Sequence, residues 1–220
     1  MTRLKWQSVL LIVLLLGPAV AWAQEPPTAA AADPSWEIEP YVGVARNSPA
    51  GTHLGATPDR NHLFLGVHIT GTLLRWHRLA IAYAPEVIPL LMLSDNPTYH
   101  SVSQMSFDIR VQDGQKAVAG IGISPVGFEA RVRLASRIRL YAATAAGIVM
   151  FTRATPVPDA RSLNFTFEVG GGSDYQLRRG WWLRVGYKFH HLSNANSAPQ
   201  NPGVDANAFM IGVVHALGKG

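Results

Sequence analysis

Residues 181–190 read WWLRVGYKFH, and from Leu183 onward apolar side chains alternate with polar or small ones. Successive side chains of a β-strand point to opposite faces, so this stretch predicts a strand with one apolar and one polar face. The apolar face comprises Trp181, Leu183, Val185, Tyr187 and Phe189, and the other comprises Arg184, Gly186, Lys188 and His190. A strand of this kind separates an apolar environment from a polar one.

The same alternation continues through the chain on both sides of this stretch. It is clear at 162–170, and it recurs near 36–45, 62–74, 78–87, 117–134, 138–151 and 206–217. These segments are rich in Gly and β-branched residues and poor in helix caps. We therefore predict an all-β fold, an eight-stranded antiparallel β-barrel whose narrow interior is filled by side chains.

The connections between the predicted strands alternate in length. Long ones fall at roughly 46–61, 88–116, 152–161 and 194–204, and short ones at 75–77, 135–137 and 174–179. Short periplasmic turns and long outer loops are typical of outer-membrane barrels. A soluble lipocalin-like barrel is the alternative, but it would need polar residues on its outer face. The pattern favours a transmembrane barrel, with the charged residues paired inside: Glu37, Glu39, Glu129, Arg131, Arg133, Glu168, Arg184 and Lys188.

The N-terminus predicts export from the cytoplasm. Arg3 and Lys5 precede an apolar run from Val9 to Leu16, and the small-residue site Ala21-Trp22-Ala23 follows. This layout is typical of a cleaved secretory signal peptide. We therefore divide the chain into a signal peptide (1–23), a disordered Pro- and Ala-rich lead-in (24–35) and an outer-membrane barrel domain (36–220).

Composition excludes several classes of function. The formal net charge of +5 falls to +3 when Arg3 and Lys5 are removed, which is too small and too scattered for nucleic-acid binding. The chain has no Cys, so disulfides and thiolate metal sites are excluded. His62, His68 and His77 lack metal-ligand spacing, and we expect neither a metal nor another cofactor.

One predicted hairpin carries the residue types of a hydrolytic site. His191 and Ser193 are two residues apart, so on a strand they share a face, and Asp205 opens the next strand. A serine nucleophile needs a base to take its proton and an acid to orient that base. We predict that Ser193, His191 and Asp205 fill these roles. A turn-capping hydroxyl is the alternative for Ser193, and a purely conformational role is the alternative for the turn residues 201–203.

The strand phase places this site on the outer face of the barrel. His191 and Ser193 continue the outward apolar series, and Asp205 is in phase with Phe209, so all three are expected to face lipid. The loop asymmetry puts them at the extracellular rim, beside the acyl chains and glucosamine of lipid A in the outer leaflet. His190 has the opposite phase and is expected to point inward.

Residues 162–213 resemble the lipid A 3-O-deacylases of the PagL type. The resemblance is carried by GYKFHHLSNA at 186–195 and by NPGVD at 201–205. It implies an outer-membrane esterase that hydrolyses the 3-O-linked acyl chain of lipid A, with Ser193 as nucleophile and His191 as base. It also implies an oxyanion hole that includes the backbone N–H of Asn194. The family has Glu as the orienting acid, where this chain has Asp205.

Two further interpretations of the chain stay open. The departure from Glu keeps open a non-catalytic barrel, structural or adhesin-like, on the same scaffold. A phospholipase or an acyltransferase could also use the outward site. The expected partners are lipid A or lipopolysaccharide and outer-membrane lipid, and an outward site leaves room for a homodimer.

Overall fold

The computed structural model describes residues 36–49, 52, 54–95 and 117–217. The predicted signal peptide (1–23) and lead-in (24–35) lie outside the described residues. Regular structure in the described part is entirely β: β1 (Trp36–Ala45), β2 (Arg60–Trp76), β3 (Leu79–Tyr83), β4 (Glu86–Asp95), β5 (Val118–Ala135), β6 (Ile138–Thr155), β7 (Arg161–Arg178), β8 (Trp181–Ser193) and β9 (Val204–Leu217). Every strand pairs antiparallel with its neighbours.

The strands close into a ring of eight positions. β1 pairs with β2 on one side and with β9 on the other. β3 and β4 together fill one position, because both lie between β2 and β5. Ala84 and Pro85 separate them, although the Ala84 N–H and the Pro85 carbonyl still bond to the flanking strands. The predicted all-β, eight-stranded antiparallel barrel is therefore confirmed.

The interior has a polar zone and an apolar zone. In the polar zone the Arg184 guanidinium bonds to Glu39 at 2.9 Å and to Glu129 at 2.8 Å. Lys188 bonds to Glu168 at 2.7 Å. The inward direction predicted for the charged residues is confirmed. Arg133, at the short-turn end, lies over the buried Trp182 ring but is itself only half-buried.

The apolar zone lies nearer the long connections. Its buried side chains include Phe64, Ile88, Leu91, Leu93, Val149, Phe151, Leu192 and Val204. A packed interior of this kind resists deformation and supports the strand ends above it.

The outer face is a belt of large apolar side chains. Its members include Val42, Ile121, Phe165, Phe167, Val185, Tyr187, Phe209 and Ile211, all exposed. Apolar side chains outward with charges inward are typical of a barrel in a bilayer. No helix in the described ranges is long and apolar enough to cross a membrane.

Several strands extend further than the sequence predicts. β4 continues to Asp95, so the predicted connection 88–116 is too long at its start. β6 reaches Thr155, and β7 reaches Arg178, where a turn was predicted from 174. The remaining turns at the short end are two residues each, at 77–78, 136–137 and 179–180.

Candidate active site

The β8–β9 hairpin brings His191 and Asp205 directly opposite each other. They are register partners in the two strands. The Nδ1 atom of His191 lies 2.6 Å from Oδ1 of Asp205. Because a carboxylate only accepts hydrogen bonds, Nδ1 is the donor, which leaves Nε2 as the basic nitrogen. This is the relation that an orienting acid has to a catalytic base.

Ser193 lies two residues beyond His191 on the same face of β8. Its register partner is Phe165, and His191 pairs with Phe167. Among the described residues, no hydrogen-bond partner is found for the Ser193 hydroxyl. The structure thus joins His191 and Asp205, the predicted base and acid, and it places Ser193 beside them without a serine–histidine hydrogen bond.

The chain turns sharply after Ser193. Ala195 and Asn196 have φ of 52° and 60°, and the N–H of Ser197 bonds to the Asn194 carbonyl at 3.0 Å. Left-handed values at both central positions are typical of a type I′ turn. This turn begins the connection that returns the chain to Asp205.

Asn194 differs from the expectation drawn from the resemblance. Its backbone N–H donates to Oδ1 of Asn201 at 2.8 Å, and its side-chain amide donates to the Gln200 carbonyl at 2.7 Å. Asn194 is fully buried. The predicted oxyanion donor is therefore already engaged in this structure, where it holds the 194–203 connection together.

Asp205 also differs from its predicted exposure to lipid. It has the outward strand phase, yet it is fully buried. The β1–β2 connection covers it, with the Thr52 hydroxyl bonded to Oδ2 and Gly55 packed against the carboxyl group. The prediction was wrong because strand phase says nothing about a loop that folds over the face.

The covering loop is hydrogen-bonded to the β8–β9 connection. The N–H groups of Ala56 and Thr57 bond to the carbonyls of Pro202 and Gly203 at 2.6 and 3.1 Å. We call residues 52 and 54–57 the strap. Sequence reasoning missed Thr52 and Gly55, since they belong to no recognisable motif and lie about 150 positions from Asp205.

Gly203 is required by both conformation and space. Its φ is 61°, which favours glycine. A Cβ there would lie 2.7 Å from the Leu54 carbonyl oxygen and 3.2 Å from Cε1 of His191. The turn at 201–203 therefore does more than reverse the chain, because it lets the strap and the histidine approach each other.

The site opens onto the apolar outer face. Phe165 and Phe167 flank it on β7 and are 47% and 44% exposed. Behind it, Leu192, Val204 and Ala206 are buried in the interior. His190 points inward as predicted, with its ring 5.0 Å from that of Phe64. The arrangement suits a substrate with long apolar chains that arrives from the bilayer.

Within the described ranges, no cluster of three or more His, Asp or Glu side chains is arranged to hold a metal ion. The side chains brought together at the site offer a hydroxyl, an imidazole and a carboxylate. These are the groups of nucleophilic acyl transfer.

Comparisons with solved structures agree with the barrel. The crystal structure of the outer membrane enzyme PagL matches with a TM-score of 0.56 at 12% identity, covering 79% of this chain and 97% of that one. Neisserial surface protein A matches with a TM-score of 0.49 at 13% identity, covering 83% and 97%. Ail, the attachment invasion locus protein of Yersinia pestis, matches with a TM-score of 0.45 at 11% identity, covering 83% and 98%. At such identities these likenesses show the fold alone.

The sequence itself identifies the family. A comparison with curated proteins gives no match. The model of the lipid A 3-O-deacylase (PagL) family matches residues 89–214, which include His191, Ser193 and Asp205. The resemblance found at 162–213 is thus confirmed and extended towards the N-terminus. The chain belongs to the lipid A 3-O-deacylase (PagL) family.

Proposed function

We propose that this protein is an outer-membrane esterase that hydrolyses the 3-O-linked acyl chain of lipid A. Family membership supports the substrate class, and the outward apolar belt supports the location. The observation that carries the proposal is the 2.6 Å contact of His191 Nδ1 with Asp205 Oδ1, on the outer face beside Ser193. A buried carboxylate paired with a partly exposed histidine next to a serine supports a catalytic unit.

The first half of the reaction forms an acyl-enzyme. Oγ of Ser193 attacks the ester carbonyl carbon while Nε2 of His191 takes the hydroxyl proton. The bond from that carbon to the sugar oxygen then breaks. His191 returns its proton to the departing oxygen, so the sugar leaves with a free hydroxyl and the acyl chain stays on Ser193.

The second half restores the serine. Water attacks the acyl-serine carbonyl, and His191 again takes a proton. The fatty acid leaves, and Ser193 recovers its hydrogen from the imidazole. Throughout, Asp205 holds the imidazole in the required tautomer and stabilises its positive charge.

Ser193 and His191 reach each other by side-chain rotation. Two residues along a strand are separated by about 6.6 Å between Cα atoms, which a serine and a histidine on one face can span. Catalytic hydrogen bonds are often loose without substrate. We propose that bound lipid closes the Oγ to Nε2 contact.

The barrel orientation supplies the substrate. The long connections lie at the same end of the barrel as Ser193 and Asp205, and in outer-membrane barrels this end is extracellular. Lipid A occupies the outer leaflet there. An acyl chain lying along Phe165 and Phe167 would bring its ester to the level of Ser193.

A non-catalytic barrel is the second candidate. Two observations favour it: the Ser193 hydroxyl has no partner among the described residues, and the Asn194 N–H is already bonded to Asn201. In that case the His191–Asp205 pair would be a structural contact that holds the strap.

Mass spectrometry of lipid A from cells that express the full chain distinguishes the two candidates. The esterase predicts lipid A that has lost one ester-linked acyl chain, with the 3-position hydroxyl free. Intact lipid A from cells with correctly inserted protein would favour the non-catalytic barrel.

Two variants serve as controls for that experiment. Ser193→Ala should leave lipid A intact. Ser173→Ala removes a hydroxyl from the outer face of β7, away from the site, and should deacylate like the wild type. Heat-modified mobility in gels should be unchanged in both.

A further inference from the structure

The strap places a hydroxyl on the carboxylate that orients His191. Oδ1 of Asp205 faces His191 Nδ1, and Oδ2 is bonded to Oγ1 of Thr52. Each carboxylate oxygen thus has a different partner, one from β8 and one from the strap. These two contacts fix the rotation of a group whose terminal torsion is otherwise broad.

Thr52 is itself held in place by its own turn. Its Oγ1 accepts the N–H of Gly55 at 2.8 Å and lies 2.8 Å from the Gly55 carbonyl oxygen, and its backbone N–H donates to that carbonyl at 3.1 Å. We assign the single hydroxyl hydrogen to the Asp205 carboxylate, because a charged acceptor forms the stronger bond. The strap is further fixed by its two backbone bonds to the 202–203 segment. The hydroxyl is therefore presented by a closed turn rather than by a loose side chain.

The strap packs closely against the acid. A Cβ on Gly55 would come within 2.8 Å of Cγ of Asp205. Asp205 is fully buried, so water does not reach its carboxylate. The short side chain of Asp205 fits because the strap comes this close.

We propose that Thr52 is a positioning residue, whose hydroxyl holds the Asp205 carboxylate in the orientation that bonds to His191. This role rests on the proposed function. Thr52 and Gly55 precede residue 89, where the family match begins, so the match itself assigns them nothing.

The strap contains its own matched control. Thr57 lies in the same segment, and its hydroxyl oxygen is buried without a hydrogen-bond partner among the described residues. Thr52→Val and Thr57→Val each replace a hydroxyl by a methyl group of similar size. Thr52→Val removes the bond to Asp205 together with the side-chain bonds to the Gly55 backbone, whereas Thr57→Val removes no side-chain hydrogen bond and Thr52→Ser keeps those of Thr52.

The first test is the kinetics of fatty-acid release from lipid A by the refolded full chain. We expect Thr52→Val to lower kcat about tenfold to a hundredfold with little change in KM, as for a lost hydrogen bond to a charged group. Thr52→Ser should restore most of kcat, and Thr57→Val should resemble the wild type. Equal losses of kcat in Thr52→Val and Thr57→Val, or an effect confined to KM, would show that Thr52 only holds the strap in place. Either result would overturn the positioning role.

Coupling gives a second kinetic criterion. If Thr52 acts through Asp205, Thr52→Val added to Asp205→Asn should lower kcat no further than Asp205→Asn alone. Two losses that multiply in the double variant would mean that Thr52 acts by another route, contrary to the proposal.

A readout independent of turnover separates this role from the proposed function. The proton on His191 Nδ1, bonded to a carboxylate, should give a downfield resonance in the proton NMR spectrum of the wild type in detergent. We expect Thr52→Val to shift or broaden this resonance and Thr57→Val to leave it in place. An unchanged resonance in Thr52→Val overturns the positioning role. An inactive wild type whose resonance responds to Thr52→Val overturns the proposed function alone.

Discussion

The Nδ1 atom of His191 lies 2.6 Å from Oδ1 of Asp205, across paired positions of β8 and β9 on the outer face of the barrel. Thr52 and Gly55 cover the outer side of the Asp205 carboxylate. By its strand phase the Asp205 carboxylate would face lipid. Instead it is buried, and each of its two oxygens has a polar partner. This arrangement lowers the cost of placing an acid on a membrane-facing wall.

Substitutions of Asp205 test its role as the orienting acid. Asp205→Asn should lower kcat by about a thousandfold or more, because an amide does not stabilise the imidazolium and favours the wrong tautomer. Release of fatty acid from lipid A measures this. Wild-type kcat in Asp205→Asn would remove the carboxylate from the mechanism.

The structure changes the expectation for Asp205→Glu. From the sequence alone, the longer acid of the family would be expected to keep or raise activity. Gly55 packs directly on the Asp205 carboxyl group, however, so an added methylene has no space there. We expect Asp205→Glu to lower kcat about tenfold. Activity at or above that of the wild type would show that the strap moves to accommodate the longer side chain.

Substitutions of the adjacent residues His190 and His191 test which side chains of β8 point outward. His191→Ala should lower fatty-acid release by at least about a thousandfold, because the base is lost. His190→Ala should retain turnover close to wild type and lower the melting temperature, because His190 fills the interior beside Phe64. Exchange of these two outcomes would mean that β8 is in the opposite phase.

Two glycines with positive φ allow the effect of steric crowding near His191 to be separated from the effect of backbone conformation. Gly203→Ala and Gly180→Ala each place a Cβ at positive φ, with φ of 61° and 76°. Each should cost about 1 kcal/mol of unfolding free energy, or somewhat more. Only Gly203→Ala should also lose activity, since a Cβ at Gly180 meets nothing closer than 3.7 Å. Equal activity in the two variants would contradict the crowding of His191.

Removal of an interior cation should destabilise the barrel. Arg184→Met leaves Glu39, Glu129 and Asp174 without the guanidinium that bonds to all three. We expect a loss of about 3–5 kcal/mol in unfolding free energy, measured by urea titration in detergent or lipid. Arg137→Met, at an exposed turn, is the control and should unfold like the wild type. Equal stability of both variants would show that the interior charges are not coupled to folding.

Sequence patterning predicts the barrel where one face differs from the other. β7 and β8 alternate because their outer side chains are apolar and several inner ones are charged. The run from Ile88 to Asp95 was missed because the interior is apolar at that level, where Ile88, Leu91 and Leu93 are buried. Both faces of β4 are therefore apolar, and the alternation disappears.

From the sequence, only the part of the site that lies within one hairpin could be predicted. His191 and Asp205 are joined by one hairpin, so strand phase and loop length bring them together. The strap is a long-range contact between two connections, and neither connection has a periodic pattern. The engagement of the Asn194 N–H likewise depends on the side chain of Asn201, whose direction the turn sequence does not reveal.

Covalent trapping tests whether Ser193 is a nucleophile activated by His191 and Asp205. The refolded wild type is incubated with a long-chain alkyl fluorophosphonate, which reacts with activated serines, and the adduct is located by peptide mass spectrometry. We expect a single adduct on Ser193 that is lost in His191→Ala and greatly slowed in Asp205→Asn. Fatty-acid release from lipid A by a protein that is labelled elsewhere, or that remains active as Ser193→Ala, would contradict it.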